Sequence, residues 1–411
     1  MTEKSSSFSK VSELFYAYPQ ESLAVLEKKS ETICVGILKE IVPQERRVIL
    51  SPESVGVLVN NGYEVYVEVN AGKHARFSDR EYTERGARLC FSQEEVYQKA
   101  DIILKLAPVT LEEALLLKPR QTLLSAIHLG TLQPDILKIM MDKNITAIGY
   151  ELLQDEEGEY PIVRMMSEIA GYTSIMIASE YLSNKHENGL GILLGGVTGV
   201  PRTNVVIFGA GTVGEFAARA ALGVGANVKI FDESIHRLRR IESLLGNHIF
   251  TATTQVHYIV DALKRADVAI GAVGRFQRKN RGFLIMEDWI SQMPQGSVII
   301  DISIDQGGCF ETSRVTTHDN PTFEEHGVIH FCVPNIPSRV ARTASYALSN
   351  VITPLMIRVI DAGGVKNFIW QEEWIRNSVY LYQGILTNEV IARKFGMSYK
   401  DIDLLVASSH L

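Results

Sequence analysis

The chain has 411 residues, more than one hydrophobic core ordinarily organises, so two domains are expected. Apolar residues make up 46% and charged residues 22%, an ordinary globular mix, and the net charge of −7 gives no support to a general nucleic-acid binder. Four scattered cysteines (Cys34, Cys90, Cys309, Cys332) form no CxxC pair and argue against a disulfide framework or a zinc site.

The first thirty or so residues, a polar start followed by an amphipathic stretch, lack the apolar run of a signal peptide and read as an appendage to the fold. No apolar run approaches the roughly 20 residues of a membrane helix, so a cytoplasmic protein is expected. From Cys34 a rhythm begins. CVGILKE is a strand, PESVGVLVNNG a helix closing on Gly62, and YEVYVEV a strand with period two. SQEEVYQKA reads as a serine-capped helix; DIILKL and TLLSAI are strands with helical LEEALLL between them. PDILKIMMDKN is a helix opened by Pro134, and ITAIGYE the next strand.

A second alternating run follows. SEIAGYTSIMIASEYLS is a long helix; VVIFGAG, ANVKIFD, DVAIGAV, SVIIDIS and VIHFCV are strands at βα spacing. YALSNVITPLMIRVI and Ile375 to Phe395 read as helices. The expected architecture is α/β: two doubly wound, Rossmann-like domains with parallel sheets and an interdomain active-site cleft.

The text VVIFGAGTVGEFAARAALGVGANVKIFD carries the most specific local signal. A β-branched strand enters Gly209, Gly211 and Gly214 in GxGxxG spacing, then come a small-residue helix and a second strand ending at Asp232. Gly209 permits the tight turn, Gly211 lets a pyrophosphate approach the backbone, and Gly214 lets helix and strand pack closely. Thr212 and Val213 open the helix, whose free N–H groups and positive dipole end suit phosphates. Asp232 is expected to accept hydrogen bonds from the adenosine ribose, favouring NAD over NADP; Arg237, one helical turn on, weakens that preference a little.

At these residues the chain resembles the alanine dehydrogenase and pyridine-nucleotide transhydrogenase family, closest to alanine dehydrogenase. The motifs are GILKEIVPQERRVILSP, MMSEIAG, the glycine loop, DISIDQGGCFETSRVTTHDNPTF and FCVPNIPSRVARTASYALSN, and the resemblance runs from about Cys34 to at least Asn350. It implies roles residue by residue. Arg47 matches the arginine that grips the substrate carboxylate, with Arg46 its neighbour; a guanidinium fork suits that task. His128 matches the acid/base histidine, and Asp305 an aspartate beside the nicotinamide that helps activate water and the amine. Met166, Ser167, Val273 and Asn335 fall at positions lining the nicotinamide side.

Two departures stand out. The family's alanine dehydrogenases carry Lys-Val-Lys-Glu-Pro after the third strand, whereas this chain has Lys105-Leu106-Ala107-Pro108, with Ala107 in place of the second lysine. Strand alternation puts Lys105 on the face of Ala107, so Lys105 is expected to reach the substrate. After Val273, a small-residue loop is replaced by basic GRFQRKNRG.

The resemblance thus implies an N-terminal extension (1–31), a substrate domain (32–160 with 342–411), an NAD-binding domain (161–341), no metal, and a homo-oligomer, hexamer or dimer. The implied reaction is NAD-dependent oxidative deamination of a small L-amino acid, L-alanine first. A related NAD-linked amino-acid or opine-type dehydrogenase, a transhydrogenase-like subunit and an NAD(H)-sensing protein stay open as alternatives.

Overall fold

The computed structural model describes residues 32–128, 130, 132–246, 249–274 and 282–408. The N-terminal extension (1–31) and the basic loop at 275–281 lie outside them. The described residues from 33 onward form one compact unit built on two sheets.

The first sheet holds eight strands: β1 (Cys34–Ile37), β2 (Glu64–Glu68), β3 (Arg88–Cys90), β4 (Ile102–Leu104), β5 (Thr122–Ser125), β6 (Thr146–Gly149), β14 (Val379–Tyr382) and β15 (Ile385–Leu386). The second holds seven: β7 (Asn204–Phe208), β8 (Asn227–Phe231), β9 (Phe250–Ala252), β10 (Val268–Gly271), β11 (Val298–Asp301), β12 (Thr322–Glu325) and β13 (Val328–Phe331). Their orders are β15-β14-β6-β5-β4-β1-β2-β3 and β12-β13-β11-β10-β7-β8-β9. Strands β4, β5, β6, β10 and β11 are buried at every position, as expected of parallel strands covered by helices on both faces. In each sheet the order reverses beside the first strand, between β1 and β4 and between β7 and β10. Ligands of open α/β sheets bind at such a switch point, outside the carboxyl ends of the strands.

Local signals explain the helix starts. Ser51, Ser92 and Thr110 cap the helices Pro52–Asn60, Gln93–Lys99 and Leu111–Leu116. The long helix starts earlier than the text suggested: Pro161 takes its first turn, and it runs Pro161–Leu182. Mid-way, a Cβ on Gly171 would lie 2.5 Å from Val213 O and 2.9 Å from Ala217 N, so this helix packs backbone-close on Thr212–Gly223.

Two expectations need correction. The sheets are mostly, not wholly, parallel: β12 pairs antiparallel with β13, and β14 with β6. And Ile375 to Phe395 is not helical throughout, because Val379–Leu386 forms the hairpin β14–β15, with Tyr382 opposite Ile385. Gln383 and Gly384, with φ of 49° and 79°, make the two-residue turn whose twist suits a hairpin. Strands β3, β9 and β12 were not anticipated as separate elements.

Candidate functional site

Nearly every residue singled out from the sequence follows a parallel strand. Arg47 comes after β1, Lys105 and His128 after β4 and β5, the glycine loop and Asp232 after β7 and β8, and Val273, Asp305 and Asn335 after β10, β11 and β13. Ser167 and Met166 sit on the first turns of Pro161–Leu182.

The glycine loop has the geometry that a dinucleotide requires. Gly209 has φ of 112°, and a Cβ there would lie 2.5 Å from Val273 Cγ2, which packs on the loop. A Cβ on Gly214 would lie 1.8 Å from Gly209 O, whereas one on Gly211 would meet nothing within 4 Å. Thus Gly214 is required by helix–loop packing, and Gly211 leaves open approach to the backbone. Gly211 caps Thr212–Gly223 without a side-chain hydrogen bond, leaving first-turn N–H groups of that helix for phosphate. Asp232, 4% exposed, accepts from Ala210 N at 2.8 Å and Ser234 N at 2.7 Å, tying the end of β8 to the loop. Arg237 Nη1 stands 3.7 Å from Asp232 Oδ2. Behind the loop, buried Glu215 pairs with Arg240 at 2.7 Å and Arg219 at 2.8 Å, and Arg240 also donates to Ala210 O at 3.3 Å. These residues fit NAD: a cradle with room for pyrophosphate and an acid at the ribose position.

The other side of the cleft centres on Arg47. Glu45 grips it side-on, with Nε donating to Oε1 at 2.8 Å and Nη2 to Oε2 at 2.6 Å, and Nη1 reaches Met166 Sδ at 3.2 Å. Burial alone would lower the guanidinium pKa, but Glu45, Tyr150 and Glu40 outweigh it and raise it. Arg46 is exposed, so of the two neighbouring arginines it is Arg47 that turns inward. Three serines hold this loop in place. Arg46 N donates to Ser338 Oγ at 2.8 Å, Val48 N to Ser345 Oγ at 2.9 Å, and Ser51 N to Ser349 Oγ at 2.8 Å. Ser345 and Ser349 share one face of Ala341–Asp361, four residues apart. The NIPSRVARTASYALSN text therefore docks the loop after β1 onto the segment that leaves the second sheet.

His128 and Asp305 come from different sheets and meet electrostatically. Crowding by protein raises the Asp305 carboxyl above the ordinary carboxylate range, and the His128 charge pulls it part of the way back. His128 has φ of 42°, a left-handed conformation unusual for a residue with a side chain. Glu151 holds that turn, accepting from Ile127 N at 2.7 Å and His128 N at 3.1 Å. On the Asp305 side, buried Asp301 accepts from Ser303 Oγ at 2.9 Å and Cys309 N at 2.8 Å, closing the Asp-Gln-Gly-Gly turn.

Lys105 departs from expectation. Its side chain is 0% exposed, and the ammonium lies 3.1 Å from Glu40 Oε2, just after β1, and 3.0 Å from Glu113 Oε1, on the helix Leu111–Leu116. Two buried carboxylates need a cation, and Lys105 supplies it instead of reaching the cleft. Burial works against its charge, but Glu40 and Glu113 raise its pKa. Ala107 is buried as well, its N–H bonded to Glu40 Oε2 at 3.2 Å.

Sequence reasoning missed Glu45 and Glu151. Glu45 was detectable in part, since residues two apart in extended chain share a face and ERR presents an acid beside an arginine. Glu151 left no such signal, because its partners are backbone N–H groups 23 and 24 residues away.

A glycine cradle after one strand of the second sheet, with His128 of the first sheet and Asp305 of the second in electrostatic reach of each other, defines a dinucleotide-binding protein of the Rossmann class that carries a second α/β sheet. The chain belongs to the Alanine dehydrogenase/PNT family: the model of the family's N-terminal domain matches residues 36–170, and that of its C-terminal domain residues 174–389. The alanine dehydrogenase of Methanococcus maripaludis is 38% identical over 89% of this chain and 97% of its own. That of Geobacillus stearothermophilus is 36% identical over 90% and 99%. Among solved structures, an L-alanine dehydrogenase superposes with a TM-score of 0.82 at 33% identity, over 89% of this chain and 99% of its own. A transhydrogenase from Sinorhizobium meliloti shares the fold, with a TM-score of 0.74 at 22% identity over 87% and 99%. Among the described residues no single helix is long and apolar enough to cross a membrane.

Proposed function

We propose that this protein catalyses the NAD-dependent oxidative deamination of a small L-amino acid, L-alanine first, giving the 2-oxo acid, ammonium and NADH. The convergence of His128 and Asp305 on the cleft beside a dinucleotide cradle carries this reading, together with the alanine dehydrogenases that the chain resembles.

Bound NAD supplies a hydride acceptor. The chain's own residues do the rest. Gly209, Gly211, Thr212, Val213 and Gly214 seat the pyrophosphate, and Asp232, with Arg237 beside it, takes the adenosine ribose. Val273, Met166, Ser167 and Asn335 line the nicotinamide side. Arg47 holds the substrate carboxylate and so fixes Cα at near-attack distance from the hydride acceptor. His128 moves the proton to and from the substrate nitrogen and oxygen, and Asp305 orients the water that replaces the amine. The substrate part comprises residues 32–160 and 342–411, the cofactor part 161–341. The working protein is a cytoplasmic homo-oligomer, a hexamer or a dimer.

One observation favours a second reading within the same chemistry. With Ala107 in place of a lysine and Lys105 committed to Glu40 and Glu113, the substrate half differs from the family pattern, which suits another small amino acid. Pure protein incubated with NAD⁺ and a panel of L-amino acids tests both readings by NADH absorbance. NADH formed fastest with L-alanine supports the first, a different preferred amino acid the second, and none with any amino acid rejects both.

A further inference from the structure

The substrate-side arginine is already gripped by a carboxylate of its own chain. Glu45 takes the Nε and Nη2 donors at 2.8 and 2.6 Å, and its Oε1 also accepts the Arg47 backbone N–H at 3.0 Å. A guanidinium has five N–H donors, and this grip uses one edge. The end-on edge, formed by Nη1 and the remaining Nη2 proton, faces Met166, whose thioether at 3.2 Å is a weak acceptor. A carboxylate ligand arriving there replaces that acceptor with a charge-assisted pair and leaves Glu45 in place.

Glu45 has a second partner residue. Asn335 Nδ2, on the loop after β13, donates to Oε2 at 2.9 Å from 290 residues away. Asn335 has φ of 56°, so its backbone is fixed in an uncommon conformation that aims the amide at Glu45. The pair is nearly sealed, with Arg47 and Glu45 side chains 9% and 6% exposed. Burial disfavours ionised Glu45, but Arg47 and Asn335 outweigh it and hold the carboxyl below its ordinary range.

We infer that Glu45 is a positioning residue: it clamps Arg47 by the side edge so that the end edge is presented to the substrate carboxylate, and through Asn335 it ties that arginine to the nicotinamide side of the cleft. This rests on the amino-acid dehydrogenase reading above. With no lysine at position 107, more of the hold on the carboxylate falls to Arg47, and its aim decides whether Cα meets the nicotinamide.

The test is steady-state kinetics of Glu45→Gln and Glu45→Asp beside the parent, with L-alanine and NAD⁺. Glutamine keeps the length but loses the charge and one acceptor of the fork. Its KM for L-alanine should rise about 10- to 100-fold, as for loss of a buried charge-assisted hydrogen bond, with a smaller change in kcat. Aspartate keeps the charge but is one methylene short, and its KM should fall between those of the parent and the glutamine variant. NADH affinity, read by fluorescence titration, should survive in both and shows that they fold. Adding Asn335→Ala to Glu45→Gln should raise KM by less than it does in the parent, because Asn335 acts through Glu45. An unchanged or lower KM in a variant that still binds NADH overturns the role of Glu45 and leaves the reaction standing. Should the glutamine variant fail to fold, a parent-like KM in the aspartate variant has the same force. A parent that forms no NADH with any amino acid of the panel overturns both the reaction and this role; where another amino acid is preferred, the same KM comparison is made with that substrate.

Discussion

A Cβ on Gly214 would stand 1.8 Å from the carbonyl oxygen of Gly209, whereas one on Gly211, in the same loop, would meet nothing within 4 Å. Two alanine variants should therefore part company. Gly214→Ala forces the helix off the loop and should cost about 1–3 kcal/mol of stability. Gly211→Ala has no clash and no positive φ, so its stability should stay within about 0.5 kcal/mol of the parent. It should nevertheless lose NADH affinity by about tenfold or more, equivalent to at least about 1.4 kcal/mol, because the methyl fills the approach to the backbone. Thermal melts and NADH titrations check both, and a Gly211→Ala protein that binds NADH normally rejects the cradle.

His128→Ala removes the imidazole proposed as acid and base and leaves the glycine loop untouched. Turnover should fall about 10²–10⁴-fold, the usual scale for lost general acid/base help, while NADH affinity holds. Near-parental turnover would remove His128 from the mechanism.

Asp305 carries a stability signature with a definite sign. Crowding raises its carboxyl pKa, so the folded protein resists its ionisation. That cost is absent below the ordinary carboxylate pKa and grows as pH rises through the raised one. Asp305→Asn should accordingly melt higher than the parent at neutral pH and match it in acid, while its turnover drops. Melting curves across that pH range decide it, and an asparagine variant less stable at neutral pH contradicts the assignment.

His330 governs the acid limit. It is fully buried, bonded to Thr312 Oγ1 at 2.7 Å and Val328 O at 2.9 Å, and stacked on Phe323. Burial pushes its pKa from 6.5 down to about 4. Its neutral form therefore supports the fold fully above about 6.5, and that support is lost as pH falls through about 4, at a cost of about 3 kcal/mol. Urea unfolding at stepped pH should show this loss in the parent, and a flatter acid limb in His330→Gln.

Lys105→Met leaves Glu40 and Glu113 buried without their cation. The expected loss is about 3–5 kcal/mol in urea unfolding, the cost of breaking a buried ion pair from one side. A loss below about 1 kcal/mol, typical of exposed pairs, would contradict the buried triad.

Apart from the short strands β3, β9 and β12, the alternating strands from Cys34 to Phe331 were legible because parallel strands covered on both faces read as short apolar runs between helices. The hairpin Val379–Leu386 was not. Its residues are apolar enough for either a helix or a strand, and the antiparallel pairing with β6, more than 200 residues earlier, settles the choice. The site divided in the same way. Arg47, His128 and Asp305 were singled out by the family resemblance, while the carboxylates that hold them or their turns, Glu45, Glu151 and Asp301, were not.

By itself the sequence determined the dinucleotide cradle, since the turn at Gly209, the open approach at Gly211 and the close packing at Gly214 follow from local backbone sterics. Only the tertiary structure decided what the charged side chains do. Lys105 was free to face a substrate until the fold set Glu40 and Glu113 around it, and Arg47 until Glu45 and Asn335 fixed its edge. The energy of a buried charge depends on which opposite charge stands within a few ångströms, and chain spacing does not set that distance.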